Sequence, residues 1–246
     1  MKFHHKTIKK FFNLIIKTVF PRTCFICNQI ISEGYFCAED WSKIHFLQKP
    51  ACNICFQPFK FATNDQMLCA SCIKKPPIYN KAISVIKYDQ SSKKLITKFK
   101  YGDQTYISKY FSSLMYKNAH DIIYDIDFIT PVPLSKLKMI RRKFNQSALI
   151  AQNFAKISNK KIIFDLLIKT RNTKAQAQLN KKLRSKNIFG SFSCNEKYRQ
   201  MIFNKNILLI DDVITTGSTI NACSKILKQF GVNKIYVLTL AKTVLD

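Results

Sequence analysis

Residues 207–219 read ILLIDDVITTGST, and this stretch decides the fold of the chain. Its first four residues are all apolar, which predicts a buried β-strand. Asp211 and Asp212 follow at the carboxyl end of that strand, where open α/β sheets bind their ligands. A helix is predicted over Ser218–Phe230, and Gly231 ends it. The order of strand, acid pair, loop and helix therefore indicates an α/β domain with a functional site.

The loop after the acid pair has the composition of a phosphate-binding turn. Its hydroxyls, its backbone N–H groups and the start of the helix can all be directed at one anion. Gly217 allows a phosphate to come close or the backbone to take an unusual φ. A plain turn with an N-cap is the structural alternative. The residues that we assign to the phosphate are Thr215, Thr216, Gly217, Ser218 and Thr219.

The acid pair indicates a sugar ligand and a metal. Asp211 and Asp212 can accept hydrogen bonds from sugar hydroxyls and can help to hold Mg²⁺. The chain has no G-x4-G-K-[ST] motif, and the acids precede the loop, so this site is not a P-loop.

Residues 79–246 alternate apolar runs with amphipathic stretches, which predicts a parallel sheet flanked by helices. The predicted strands are Ala82–Tyr88, Asp127–Pro133, Ile162–Ile168, Asn206–Ile210 and Lys234–Leu240. The predicted helices besides the one after the acid pair are Ser91–Lys100, 105–118 and Gln146–Ile157.

Seven of the nine cysteines lie in the segment 20–78, which we interpret as a double zinc ribbon. Two C-x2-C pairs make a complete four-thiolate set, and this spacing is typical of structural zinc sites. Free core cysteines do not explain such paired spacing. The ligands of this set are Cys52, Cys55, Cys69 and Cys72.

The first half of the ribbon offers only three thiolates, from Cys24, Cys27 and Cys37. A second C-x2-C pair would place the fourth ligand at Asp40, and a carboxylate can bind zinc through oxygen. His45 can serve instead, or this half can be free of metal. We favour Asp40.

Residues 1–19 predict a basic amphipathic helix. It packs against the rest of the protein or attaches to a membrane surface. Lys17 interrupts its apolar stretch and no small-residue cleavage site follows, so we do not interpret it as a signal peptide. The paired cysteines favour a reducing, cytoplasmic setting.

The net charge of +27 favours phosphate-bearing partners. Lysine dominates this charge, and an A+T-biased coding sequence would also enrich lysine, so both explanations stay open. Arginine is the better indicator because it binds phosphate oxygens bidentately. The arginines that we assign to a phosphate ligand are Arg142, Arg171 and Arg184.

The motif at 211–219 resembles the signature of type I phosphoribosyltransferases, whose ligand is 5-phosphoribosyl 1-diphosphate (PRPP). Further segments behind the cysteine-rich region resemble the ComF family of competence and DNA-utilisation proteins. Two departures from that family are Asp40 in place of a cysteine and Lys143 in place of a glycine. The segments that carry the resemblance are Lys100–Asp103, Pro131–Leu134, Arg142–Gln146 and Arg171–Phe192.

The resemblance implies a type I phosphoribosyltransferase-like sheet and two zinc ribbons. It also implies that Asp211 and Asp212 meet the ribose hydroxyls, that residues 215–219 hold the 5-phosphate, and that Mg²⁺ accompanies PRPP. Residues 171–190 would cover the site.

Two functions are compatible with these features. The first is a phosphoribosyltransferase, in which diphosphate leaves and an acceptor attacks the anomeric carbon. The second is a non-catalytic protein that handles single-stranded DNA or contacts other DNA-uptake proteins. The acid pair favours the first, because a protein that only binds DNA does not need carboxylates at its ligand.

Overall fold

The computed structural model describes residues 21–61, 67–170 and 191–244. The chain divides into two compact units, one ending at Ile44 and the other beginning at His45. The limit at residue 78 between ribbon and α/β modules stays a prediction, and the second half of the cysteine-rich segment belongs to the larger unit. The predicted helix over 1–19 lies outside the described residues.

The described part of the smaller unit, residues 21–44, is rich in turns and contains one helix, α1 (Ala38–Ser42). An antiparallel bridge joins Thr23 to Ile30. Cys37 precedes α1, and its sulfur accepts a hydrogen bond from the Asp40 N–H group. The rings of Phe36 and Trp41 stack at 5.1 Å between centroids. So small an apolar core gives little folding energy, which is the usual reason for a metal in such a segment.

The larger unit alternates helices and strands. Its helices are α2 (Ala70–Lys74), α3 (Gln90–Tyr101), α4 (Ile107–Lys117), α5 (Lys136–Arg142), α6 (Gln146–Ser158), α7 (Arg199–Ile202) and α8 (Ser218–Gln229). Its strands are β1 (Lys81–Lys87), β2 (Phe128–Pro131), β3 (Lys161–Ile162), β4 (Leu167–Lys169), β5 (Phe192–Cys194), β6 (Ile207–Ile214) and β7 (Ile235–Lys242). Among the described helices, none has both the length and the apolar character needed to cross a bilayer.

Five strands form the main sheet in the order β1-β7-β6-β2-β3, and every neighbouring pair is parallel. Strand β7 is buried along its whole length, and β6 along most of it. Continuous apolar runs of this kind are what a parallel sheet covered on both faces requires. The predicted α/β class is therefore confirmed.

Helices cover the sheet with the apolar positions that their periodicity predicts. Phe111 of α4 packs edge-to-face on Phe99 of α3, with 5.2 Å between the ring centroids. Phe154 of α6 meets Tyr116 of α4 in the same way, at 5.9 Å. Helix α8 buries Cys223 among its apolar residues, so this cysteine is part of the core.

The chain over residues 162–168 differs from its prediction as one strand. Strand β3 joins the main sheet, whereas β4 pairs antiparallel with β5 in a separate two-stranded sheet. A turn at Phe164 and Asp165 separates them. The Asp165 carboxylate accepts hydrogen bonds from Lys197 at 2.7 Å and Tyr198 at 2.6 Å. An apolar run does not reveal such a break, because the partners of Asp165 lie about thirty residues later in the chain.

Ribbon residues protect the exposed edge of β1. The Leu47 N–H group donates to the Val85 carbonyl at 2.8 Å, and the Lys87 N–H group donates to the His45 carbonyl at 2.8 Å. The Ala82 N–H group donates to the Ile54 carbonyl at 2.7 Å. An uncovered edge strand invites pairing with other chains, so these residues complete the sheet.

The second cysteine cluster is continuous with the core of the larger unit. Cys52, Cys55, Cys69 and Cys72 are buried, and they belong to the same apolar cluster as Leu209 of β6 and Cys223 of α8. A metal held there would support the sheet as well as the ribbon.

We therefore expect Cys72→Ser to destabilise the larger unit by several kcal/mol, because it removes a buried ligand from this shared core. Cys24→Ser is the matched control in the smaller unit, and the main unfolding transition should stay nearly unchanged. Calorimetric unfolding together with zinc content measures both effects. A Cys72→Ser protein that loses zinc but unfolds like the wild type would contradict the prediction.

Candidate functional site

Strand β6 carries the acid pair. It runs to Ile214, four residues beyond its predicted end, so Asp211 and Asp212 lie within the strand rather than after it. Asp211 is in register with Thr239 of β7. Because the pairing with β7 continues from Ile207 to Ile214, the two carboxylates have a defined place in the carboxyl-terminal half of β6.

Asp211 is held in an enclosed, hydrogen-bonded position. Its Oδ1 accepts from the Ser147 hydroxyl at 2.9 Å and from the Asp212 N–H group at 2.9 Å. Burial raises the pKa of Asp211 to about 7, and the negative charge of Asp212 adds to this rise. The site therefore contains a carboxyl group that titrates near neutral pH.

Asp212 has a different environment. Lys100 at the end of α3 places Nζ 3.1 Å from Asp212 Oδ2, and Nη1 of Arg142 lies 4.0 Å from the same oxygen. All three side chains are at least four-fifths buried. Two cations from separate segments thus face one carboxylate.

Gln146 connects these cations to each other. Its Nε2 donates to the Lys100 carbonyl at 2.9 Å, and its Oε1 accepts from Nη1 of Arg142 at 3.2 Å. The guanidinium of Arg142 also lies over the Tyr101 ring, 5.5 Å from its centroid. The segment Arg142–Gln146 and the end of α3 therefore form one structural unit beside the acids.

Lys143, which stands where the resemblance implies a glycine, ends α5 with a φ of +64°. This left-handed conformation costs an ordinary residue roughly 1 kcal/mol, which gives a physical reason for glycine at this position. The Lys143 ammonium also pairs with the Asp103 carboxylate at 2.9 Å. The loop thus keeps the left-handed turn despite the substitution.

The turn between β6 and α8 is open to solvent. Thr215 and Thr216 are exposed, and Gly217 adopts a φ of +72°. Helix α8 begins at Ser218 without a side-chain cap from Gly217. The Thr216 and Ser218 hydroxyls lie 2.9 Å apart. The Ser218 N–H group donates to Thr216 Oγ1 at 3.4 Å. Exposed hydroxyls beside the N–H groups of a helix start are a suitable environment for an anion.

Among the predicted site residues, the structure places Asp211, Asp212 and residues 215–219 in succession on β6 and at the start of α8. It brings Arg142 to the acid pair. Arg171 and Arg184 lie outside the described residues. The ends of the segment that contains them meet where the Thr170 N–H group donates to the Ser191 carbonyl at 2.9 Å.

Sequence reasoning missed two residues of the site, Lys100 and Ser147. Lys100 begins a segment that carries the family resemblance, and Ser147 directly follows Arg142–Gln146. Their membership of these segments was the available signal. Their partners, more than sixty residues away in the chain, are visible only in the folded structure.

The structure also assembles both predicted metal clusters. The ligand atoms of Cys52, Cys55, Cys69 and Cys72 all lie within 4.8 Å of one another. Four thiolates in this arrangement fit tetrahedral structural zinc.

The second cluster consists of three cysteines and Asp40, with the same 4.8 Å limit between ligand atoms. Asp40 Oδ2 lies 3.1 Å from the sulfur of Cys24 and 3.3 Å from that of Cys37. His45, the alternative ligand, has its Nδ1 2.7 Å from a carboxylate oxygen of Asp89. The geometry therefore favours Asp40 as the fourth ligand.

A family model described as the double zinc ribbon domain matches residues 15–73. Competence protein F of Haemophilus influenzae is 29% identical over 78% of this chain and 85% of its own length. DNA utilization protein YhgH of Escherichia coli is 26% identical over 91% of this chain and 98% of its own length. Competence protein ComFC of Bacillus subtilis is 26% identical over 79% of this chain and 78% of its own length.

The resemblance to the ComF family is confirmed. These relatives cover between 78% and 91% of the ComF-like chain.

Two solved structures are similar to part of the ComF-like chain. One is an allosteric regulatory enzyme of purine biosynthesis, 20% identical with a TM-score of 0.38 over 58% of this chain. The other is a glutamine PRPP amidotransferase from Bacillus subtilis, 18% identical with a TM-score of 0.40 over 57% of this chain. The ComF-like chain spans 29% and 30% of the lengths of these two proteins.

The raised pKa of Asp211 predicts a pH-dependent effect of Asp211→Asn. The folded protein binds the Asp211 proton more tightly than the unfolded chain does, so stability falls as the pH rises from the ordinary value of 3.8 towards about 7. Asparagine removes this penalty, and its amide oxygen can still accept both hydrogen bonds. We expect Asp211→Asn to raise the free energy of unfolding at pH 8 by about 1–3 kcal/mol, and by less at pH 5.

Thermal unfolding at the two pH values measures this difference. Asp212→Asn is the matched control, and it should show no gain because it removes the partner of Lys100. A gain for Asp211→Asn that is equal at pH 5 and pH 8 would rule out the titration of Asp211 as its cause.

Proposed function

We propose that the site at 211–219 binds PRPP or a related sugar phosphate together with Mg²⁺. The observation that carries the proposal is the acid pair in the second half of β6, two residues before an open hydroxyl-rich turn at the start of α8. A sugar with a terminal phosphate needs both features, carboxylates for its hydroxyls and a turn for its phosphate. The basic residues beside Asp212 suit the second, diphosphate end of the ligand.

Each group of the ligand has residues of matching chemistry. Asp211 and Asp212 accept from ribose hydroxyls, and the hydroxyls and N–H groups of residues 215–219 surround the 5-phosphate. Arg142 offers a planar donor group to phosphate oxygens. Bound Mg²⁺ would neutralise the charge on the diphosphate, and the acid pair is the donor set for it.

We further propose that the chain is a phosphoribosyltransferase. The bond between the anomeric carbon and the diphosphate breaks, the diphosphate leaves with its electron pair, and an acceptor nucleophile forms the new bond at that carbon. The protein contributes by holding the sugar and by placing positive charge near the departing diphosphate. Among the described residues, Arg142 and Lys100 are positioned for the second role.

The names of the relatives point to a biological setting. Proteins named for competence and for DNA utilization cover most of this chain, and we propose that it too acts in DNA uptake or natural transformation. We place it in the cytoplasm, where its thiolate clusters would remain reduced.

A second candidate function is a non-catalytic scaffold that handles single-stranded DNA or contacts other DNA-uptake proteins. Helix α5 favours it, because residues 136–141 of this helix are exposed. Leu137 and Ile140 are 58% and 76% exposed, and basic residues alternate with them. Such a basic surface suits the phosphate backbone of DNA, and binding of this kind weakens as the salt concentration rises.

Calorimetric titration of PRPP with Mg²⁺ into the zinc-loaded protein tests the proposal. We expect saturable binding that is at least tenfold weaker in Asp211→Asn/Asp212→Asn. The wild-type affinity should increase from pH 6 to pH 8, because Asp211 must lose its proton to accept from ribose hydroxyls.

Asp127→Asn is the control for loss of one acidic charge, because Asp127 precedes β2 and accepts from the Asn206 N–H group at 2.8 Å, away from the acid pair. Its affinity for PRPP should equal that of the wild type. No binding by the folded wild-type protein would overturn the PRPP proposal. Binding of single-stranded DNA that weakens steeply with salt and is unchanged in Asp211→Asn/Asp212→Asn would then support the scaffold function.

A further inference from the structure

We propose that Lys100 is an exchangeable counterion of Asp212. Its ammonium pairs with this carboxylate until an anionic ligand and a divalent cation bind together. The proposal deepens the proposed function, and it rests on that function only for the identity of the ligand. It begins from the ion pair between Lys100 Nζ and Asp212 Oδ2 at 3.1 Å.

The Lys100 ammonium already pairs with Asp212, the carboxylate that would bind the divalent cation. Only 18% of the Lys100 side chain and 10% of the Asp212 side chain are exposed. Arg142 Nη1 lies 4.0 Å from the same carboxylate oxygen. A divalent cation that arrives alone must displace an ammonium and approach a guanidinium, so its binding is opposed by two like charges.

The fold anchors the main chain of Lys100 and leaves only its side chain to move. Gln146 holds the Lys100 carbonyl, and the Gly102 N–H group donates to the Lys98 carbonyl at 2.7 Å. A Cβ at Gly102 would lie 2.6 Å from that Lys98 oxygen, so glycine is required for this tight end of α3. The four-carbon stem of Lys100 can reorient its ammonium without any change in the backbone.

A phosphate-bearing ligand removes the competition between Lys100 and the divalent cation for the Asp212 carboxylate. Its oxygens accept from Lys100 and Arg142, which frees Asp212 to bind the cation that accompanies the ligand. Each component then improves the binding of the other, and by linkage the two effects are equal. Lys100 thereby makes cation binding depend on the anion, which prevents the site from filling with metal alone.

Binding of Mn²⁺ alone, followed by electron paramagnetic resonance, tests this inference on the full zinc-loaded chain. The thiolate clusters retain zinc because soft ligands prefer it to Mn²⁺. Lys100→Met removes the ammonium, and we expect it to bind Mn²⁺ about tenfold more tightly than the wild type. PRPP should strengthen Mn²⁺ binding in the wild type, and this enhancement should shrink in Lys100→Met.

Three further variants isolate the cause. Lys94→Met removes an exposed charge from the same helix and should match the wild type within about twofold. Lys100→Met/Asp212→Asn should lose the tighter Mn²⁺ binding, which places the ion at Asp212. If Lys100→Met does not fold, Lys100→Gln supplies a neutral side chain that can still donate to Asp212.

The outcomes separate this inference from the proposed function. If PRPP binds but neither neutral variant at position 100 changes the affinity for Mn²⁺, the counterion role is overturned and the PRPP site stands. If PRPP does not bind but Lys100→Met gains Mn²⁺ affinity that depends on Asp212, the counterion role is supported and another anion must be sought. Equal Mn²⁺ affinity in Lys94→Met and Lys100→Met would assign any gain to net charge and overturn the inference.

Discussion

Strand β6 is hydrogen-bonded along both edges, to β2 on one side and to β7 on the other. The pairing with β2 ends at Ile210, whereas the pairing with β7 continues through Asp211 to Ile214 and fixes the backbone that carries the acid pair. Adjacent carboxylates in an enclosed place are unfavourable unless donors and cations meet them. The surrounding groups at the end of α3 and the start of α6 provide those donors and cations.

The site is therefore organised around two adjacent carboxyl groups in surroundings that disfavour negative charge. Burial raises the pKa of Asp211 to about 7, whereas the Asp212 carboxylate lies 3.1 Å from the Lys100 ammonium. Two neighbouring acids with different environments can perform different tasks, as pairs of titratable groups in enzymes often do.

The two cysteine clusters support different parts of the protein. Cys24, Cys27, Cys37 and Asp40 would hold a metal in the smaller unit, whose described residues include few buried side chains. The other four cysteines lie in the apolar core of the larger unit, and the neighbouring residues 45–47 complete the edge of β1. In that unit the ribbon is part of the α/β structure, because its metal ligands and the sheet share one core.

The sequence by itself determined the class of the fold, the two cysteine clusters and the place of the acid pair. Each of these depends on residues that are near one another in the chain: apolar runs, C-x2-C spacing, and acids that precede a glycine-containing turn. Tertiary structure alone decided the division of residues 162–168 between two sheets and the partners of the acids. Lys100 and Ser147 reach Asp212 and Asp211 only because α3 and α6 pack beside β6. Such contacts join distant segments, and no periodicity or spacing in the chain encodes which side chains will meet.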